Sequence, residues 1–321
     1  MSIKNKAVLV TGGAGFIGSH LVDRLIDEGA EKVVAVDSFF LGKERNLSDA
    51  FERDPGLVMI KQDVTDEKAV EKLLLDHGID VVYNLAVIPL PASLDQPAWT
   101  YSHNNDIALS ICELARKDKF KTLIHFSSSE AYGSSISGPM DENHPLNATT
   151  PYAASKAAGD LLVLSYCQTF GIDASIIRPF NNYGPRQNEN SYAGVIPLTI
   201  KHILKGENPV IFGDGKQTRD YLYVTDTAMA ATKIYETKST RHRVLNIASG
   251  KEVAIEYLMK LLVEYMDSDL EVLYERDRPA DVRRHIANVY LAEDLIGFKQ
   301  SVMFEDGLKR TVEWYKNNII M

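Results

Sequence analysis

The sequence predicts an α/β protein: a doubly wound parallel sheet followed by a smaller, mixed C-terminal domain. Three observations carry that prediction. Short apolar runs of strand length alternate with helix-length stretches from residue 6 to residue 178. The first run passes through a glycine-rich turn directly into a helix pattern. After Arg178 the rhythm breaks into Pro179-Phe180-Asn181-Asn182-Tyr183-Gly184-Pro185-Arg186, and the later elements are shorter and more mixed. A chain of 321 residues is long enough for one large domain or two unequal ones. The expected division is 1–178 for the first domain, with about 220–248 returning to it, and 179–321 for the second.

Residues 6–11 (KAVLVT) form the first strand, and Gly12-Gly13-Ala14-Gly15-Phe16-Ile17-Gly18 turns into a helix that continues to residue 28. Strand, glycine turn and helix are the context that a dinucleotide fingerprint requires. Gly12 suits the tight turn, Gly15 the close approach of a pyrophosphate, and Gly18 the packing of helix on strand. The helix start at Phe16 and Ile17 then presents backbone N–H groups and a favourable dipole to phosphate. The second strand, 33–37, ends in Asp37, placed to accept from the adenosine ribose hydroxyls and to repel a 2′-phosphate. The cofactor expected is therefore NAD; Lys43 and Arg45 are the two residues that argue the other way.

The alternation continues with a third strand at 58–60 and a helix at 67–76. Between them Asp63 and Val64 stand where an adenine edge and face would be met, with a helix cap as the competing role. A fourth strand, 81–86, closes on Leu85 and Ala86, of which the alanine is small enough for a cofactor to lie close. Prolines 89, 91 and 97 interrupt regular structure ahead of a helix at 101–117. A fifth strand, 122–126, delivers Ser127-Ser128-Ser129-Glu130 to the carboxyl edge of the sheet, where ligands bind in open α/β folds. After a long irregular connection, Tyr152 opens a helix to residue 170, and 174–178 is a sixth strand. Tyr152 and Lys156 are four residues apart and share one helix face. A phenol beside an ammonium is an acid/base pair in waiting, because the positive charge favours the phenolate. That spacing alone is weak evidence; the cofactor signals around it give it meaning.

Composition excludes several classes. A net charge of -9 gives no basic footprint for nucleic acid. No apolar run reaches the length of a membrane span, and the N-terminus enters a strand pattern without a signal-peptide layout, so a cytoplasmic chain is expected. The two cysteines, Cys112 and Cys167, sit in helix-like apolar contexts and read as buried thiols. The eight histidines lack metal-ligand spacing, so no metal is expected.

Six ordered motifs together are more specific: GGAGFIGSH (12–20), SSSEAYG (127–133), YAASK (152–156), RPFNNYGPR (178–186), TRDYLYV (218–224) and RPADVRR (278–284). The chain resembles the extended short-chain dehydrogenase/reductases, which have a Rossmann-type sheet, and within them the NAD-dependent nucleotide-sugar epimerases and dehydratases. The resemblance implies that Tyr152 is the base, that Lys156 lowers its pKa and binds the nicotinamide ribose, and that Ser128 hydrogen-bonds the sugar O4. Ser128 is chosen from the triplet because it stands four residues before Tyr132. The implied chemistry is oxidation at C4 to a keto sugar, then return of hydride to the other face. In a 4,6-dehydratase an Asp-Glu pair follows the catalytic residue; here the pair is Ser129-Glu130. Ser-Ser-Glu also fits decarboxylases acting on a uronic acid, so Glu130 leaves the reaction type open.

The same resemblance places Arg219 and Arg278 on a diphosphate, Asn181 and Ser129 on the phosphate and sugar side, and Ile211 and Phe212 against the base. Arg186 is a further candidate for a substrate carboxylate or phosphate. The expected partner is a nucleoside-diphosphate sugar, most simply a UDP-sugar, and the expected assembly is a homodimer through helices 101–117 and 153–170. The loop 87–93 departs from the family patterns, which leaves the sugar open. A non-catalytic NAD-binding sensor is the reading from another class, but such proteins lose the tyrosine or lysine that this chain keeps.

Overall fold

In the computed structural model, which describes residues 1–190, 192–276 and 282–318, the first domain is a parallel sheet covered by helices on both faces. In chain order it runs β1 (Ala7–Thr11), α1 (Phe16–Asp27), β2 (Lys32–Asp37), α2 (Ser48–Arg53), β3 (Val58–Lys61), α3 (Glu67–His77), β4 (Val81–Asn84), α4 (Ala92–Asp95), α5 (Pro97–Arg116), β5 (Thr122–Phe126), α6 (Pro151–Phe170) and β6 (Ala174–Pro179). The chain continues through β7 (Asn181–Tyr183), α7 (Val195–Leu204), β8 (Val210–Phe212), β9 (Thr218–Arg219), β10 (Tyr221–Tyr223), α8 (Val224–Glu236) and β11 (Val244–Ile247). It closes with β12 (Val253–Ala254), α9 (Ile255–Tyr265), β13 (Leu273–Glu275), β14 (Arg284–His285), α10 (Tyr290–Ile296) and α11 (Phe304–Asn318).

The large sheet has seven strands in the order β11-β6-β5-β4-β1-β2-β3, one more than the alternation of residues 6–178 predicts. The extra strand is β11, which pairs in parallel with β6 after the chain has already left for the second domain. Its helix α8 packs beside α1, so two elements from beyond residue 220 complete the sheet and one of its covering layers. The strand order reverses between β1 and β4, which opens a crevice at their carboxyl ends. All five residues of β1 and all four of β4 are buried, as expected for strands covered on both faces.

Helix α5 begins at Pro97, four residues earlier than expected. Proline in the first turn starts a helix as readily as it breaks one, since its φ is already helical and its missing N–H is not needed there. The second domain has its own core, built from α7, α9 and α11 around Ile200, Leu258, Leu262, Leu308 and Tyr315. Its strands form three small sheets, β10-β7, β12-β9-β14 and β13-β8.

Asp220, fully buried, binds these parts together. Its carboxylate accepts from the Ser249 N–H and hydroxyl at 2.8 and 2.6 Å, from the Gly250 N–H at 3.0 Å and from the Ala287 N–H at 3.2 Å. Burial pushes its pKa up to about 6 despite those four donors. Replacing Asp220 by Ala leaves buried donors without acceptors, and the expected loss of stability is about 3 kcal/mol, read as a lower denaturant midpoint at neutral pH.

Candidate functional site

The crevice begins where β1 and β4 end. The Thr11 hydroxyl donates to Asn84 Oδ1 at 2.7 Å and accepts from the backbone N–H groups of Leu85 and Ala86 at 3.0 Å each. This holds the two strand ends so close that a Cβ at Gly12, which has φ +65°, would stand 3.0 Å from the Ala86 nitrogen. A Cβ at Gly18 would stand 2.1 Å from the Gly12 carbonyl oxygen, so α1 can only sit this close to the turn with glycine there. The α1 N-terminus carries no acidic residue and no side-chain cap, which leaves its first N–H groups directed at the groove.

Asp37 lies at the tip of β2 on the same groove. Its two oxygens accept from the Ala14 N–H at 3.1 Å and the Phe39 N–H at 2.8 Å. Burial raises its pKa, and these backbone donors oppose that rise. Asp63 and Val64 line the groove as well. The cap of α3 is Asp66, which accepts from the Ala69 N–H at 3.1 Å, whereas Asp63 closes a local turn by accepting from the Thr65 N–H and hydroxyl at 2.9 and 2.8 Å.

At the other end of the groove Ser128, Tyr152 and Lys156 come together with Leu85 and Ala86. Helix α6 starts at Thr150, whose hydroxyl accepts from the Ala153 N–H, and packs its small residues against the sheet. A Cβ at Gly159 would stand 3.4 Å from His125 Nε2, so the helix rests directly on β5. The Lys156 Nζ donates to the Phe126 carbonyl at 2.9 Å. Asp160, one turn on, supplies an opposing charge and is itself paired with Arg178 at 2.8 Å. Burial lowers the Lys156 pKa to about 8, with Asp160 resisting the fall.

Burial of the phenol opposes the lowering of the Tyr152 pKa expected from Lys156. Tyr152 is pushed up to about 12, because burial dominates and the Glu130 charge adds to it, while a hydrogen bond with Ser128 works the other way. The lysine ammonium donates to the Phe126 carbonyl, and the charge of Asp160 favours its protonated form.

The substrate side is only partly as expected. Asn181 stands on β7 with Oδ1 3.4 Å from His285 Nδ1, and the Ser129 carbonyl oxygen is 3.3 Å from His285 Nε2. Ser129 is buried, and Glu130 acts on the phenol by its charge. Arg219 pairs in register with His285 and donates to the Thr218 carbonyl at 2.9 Å and to the Val282 carbonyl. Arg278 lies outside the described residues. Ile211 is a correction: alternation along β8 turns its side chain into the second core, leaving Phe212 half-buried on the other face. Arg186 lines the groove, and its guanidinium is held by Asp23 at 2.6 Å and Asp49 at 3.1 Å beside α1.

The model of the NAD-dependent epimerase/dehydratase family matches residues 8–248. The chain belongs to that family. It is 33% identical to a UDP-glucose 4-epimerase of Mycolicibacterium smegmatis, over 96% of this chain and 98% of the relative. It is also 33% identical to a dTDP-glucose 4,6-dehydratase of Actinoplanes, over 97% and 98%. A solved UDP-N-acetylglucosamine 4-epimerase of Methanobrevibacter ruminantium, in complex with UDP-N-acetylmuramic acid, superposes with a TM-score of 0.90 at 38% identity, covering 98% of this chain and all of that one. This epimerase/dehydratase is therefore an NAD-dependent enzyme.

The groove fits NAD on its own chemistry: a glycine cradle that a Cβ would fill, an uncapped helix N-terminus, and a carboxylate at the tip of the second strand. Four contributors escaped the sequence reading. Thr11 and Asn84 sit at strand ends, where polar residues usually mean only that the strand has stopped. Asn104 anchors the 87–93 loop by accepting from the Ile88 N–H at 2.7 Å and donating to its carbonyl at 3.1 Å. His285 follows the basic run 283–284, and its neighbours carry no sign that it is buried. Among the described residues no group of side chains could hold a metal ion, and no helix is long and apolar enough to cross a membrane.

The lowered pKa of Lys156 has a measurable sign. Between about 8 and its ordinary value of 10.5 the unfolded chain binds a proton that the folded chain has released, so stability rises with pH across that window. Relative to Lys156→Met, the wild type should gain roughly 3 kcal/mol on going from below to above it. Denaturant midpoints of the two proteins as a function of pH check this.

Proposed function

We propose that this protein is a nucleotide-sugar 4-epimerase acting on a UDP-hexose or UDP-hexuronate through a transient 4-keto sugar. The observation that carries the reading is Ser129. A 4,6-dehydratase needs an acid at that position to protonate the departing hydroxyl, and Ser129 is a neutral, buried residue whose carbonyl faces His285. The residues that C4 oxidation would use, Ser128, Tyr152 and Lys156, line the groove together; the acid for elimination is missing.

In this reading Tyr152 takes the O4 proton and later gives it back, so the proton returns to oxygen whichever face of C4 is restored. Ser128 hydrogen-bonds O4 and, through its contact with the phenol, lets the proton pass along a short path. Lys156 supplies a buried positive charge beside the nicotinamide ribose. Bound NAD supplies the two-electron acceptor at C4 and lends positive charge that favours the Tyr152 phenolate. Arg219, with Arg278, meets the diphosphate, Asn181 the sugar side, and Phe212 the base. The homodimer finds support in Leu109 of α5 and Leu161 and Phe170 of α6, which are exposed on neighbouring helices.

A second reading rests on Glu130. Its charge acts on Tyr152, so a carboxylate lies near the phenol, where a dehydratase or a uronate decarboxylase would use one. Incubation with UDP-, dTDP-, GDP- and CDP-sugars separates the three. Unchanged mass with C4 inverted is the expected result, whereas loss of water or of carbon dioxide assigns the reaction to Glu130. Tyr152→Phe is expected to lower turnover by about 10³-fold while NAD still binds, as checked by steady-state rates and a cofactor titration.

A further inference from the structure

Two cations, Lys43 on the lip of the cofactor groove and Arg45 two residues beyond it, follow Asp37 by six and eight positions. Gly42 presses against the Asp37 carboxylate, where a Cβ would come within 2.6 Å of its atoms. The next residue, Lys43, lines the groove, and its backbone N–H donates to the Ala14 carbonyl at 3.0 Å. Arg45 follows on the same short turn. A basic residue beside the ribose pocket is what accommodates a 2′-phosphate, so the local sequence is equipped for NADP as much as Asp37 is set against it.

Both cations are engaged by one carboxylate that comes from far along the chain. Glu189 Oε1 accepts from Lys43 Nζ at 2.6 Å and from Arg45 Nη2 at 2.9 Å. Glu189 is only 8% exposed. Lys201 of α7 holds its segment in place, with Nζ 3.2 Å from the Glu189 carbonyl and 2.7 Å from Asn190 Oδ1. Burial works against the charge of Glu189, but the hydrogen bond and charge of Lys43 outweigh it, so the group is a carboxylate at neutral pH.

We propose that Glu189 is a specificity-determining residue for the cofactor: its carboxylate engages Lys43 and Arg45 and offsets one of their two positive charges, and so weakens the compensation they would give a 2′-phosphate for its repulsion by Asp37. Asp37 supplies repulsion directly, and Glu189 reduces the compensation. The selectivity for NAD is thus shared between the tip of β2 and a carboxylate from far along the chain. A purely structural clasp between Glu189 and the lip would instead affect NAD and NADP alike.

The test compares dissociation constants for NAD and NADP, by calorimetry and by competition, in the wild type, Glu189→Gln, Glu189→Gln with both Lys43→Ala and Arg45→Ala, and Lys43→Ala alone. Glu189→Gln is expected to raise the ratio of NADP to NAD affinity at least fivefold, and the added loss of both cations to reverse that gain. A smaller rise, or a gain that survives loss of both cations, overturns the proposal. Lys43→Ala alone keeps the proposal testable even if Glu189→Gln folds poorly: because Glu189 already engages that cation, NADP affinity should fall by less than fivefold, and a larger loss overturns the proposal.

Discussion

Everything at this site depends on how closely the ends of β1 and β4 approach. The Thr11 hydroxyl bridges Asn84 and two backbone N–H groups, and the turn that follows has no room for a side chain at Gly12. That contact sets the floor of the crevice at the point where strand order reverses. The uncapped start of α1, the Asp37 carboxylate and the serine-bearing end of β5 all take their positions from it. A parallel sheet leaves such a gap because its connections diverge on either side of the reversal.

Behind the catalytic cluster runs a chain of buried charges. Lys156 is balanced by Asp160, Asp160 by Arg178, and the Arg178 guanidinium lies 4.6 Å from the centre of the Tyr132 ring. The Tyr132 hydroxyl in turn donates to Asn246 Oδ1 of β11 at 2.7 Å. Burying charges is unfavourable unless they are paired, and here the pairing extends from the groove to the strand that returns from beyond the second domain. The Lys156 amine and the Tyr152 phenol are thereby held in a low-dielectric pocket without being left unpartnered.

The return of α8 and β11 makes the two domains structurally inseparable. Asp220 joins the start of β10 to the segment after β11 and to the end of β14, and Glu189 reaches the lip of the cofactor groove. The segments on either side of residue 180 are therefore joined by short hydrogen bonds.

The fold of the first domain and the cofactor end of the site were legible in the chain because they follow from local pattern. Apolar runs at strand length, glycines at 12, 15 and 18, Asp37 at a strand tip and Tyr152 four residues before Lys156 each obey a spacing rule that needs no distant partner. What distant partners decide was hidden. Ile211 is buried and Phe212 is not because of which face of β8 meets the second core. Arg186 is drawn to Asp23 and Asp49, and Lys43 to Glu189, because oppositely charged groups more than a hundred residues away fold against them. His285 is neutral because burial, and then the nearby Arg219 charge, disfavour its proton. Periodicity and motif spacing report the backbone and the residues it must present; burial and charge pairing belong to the tertiary structure, and they decide what those residues can do.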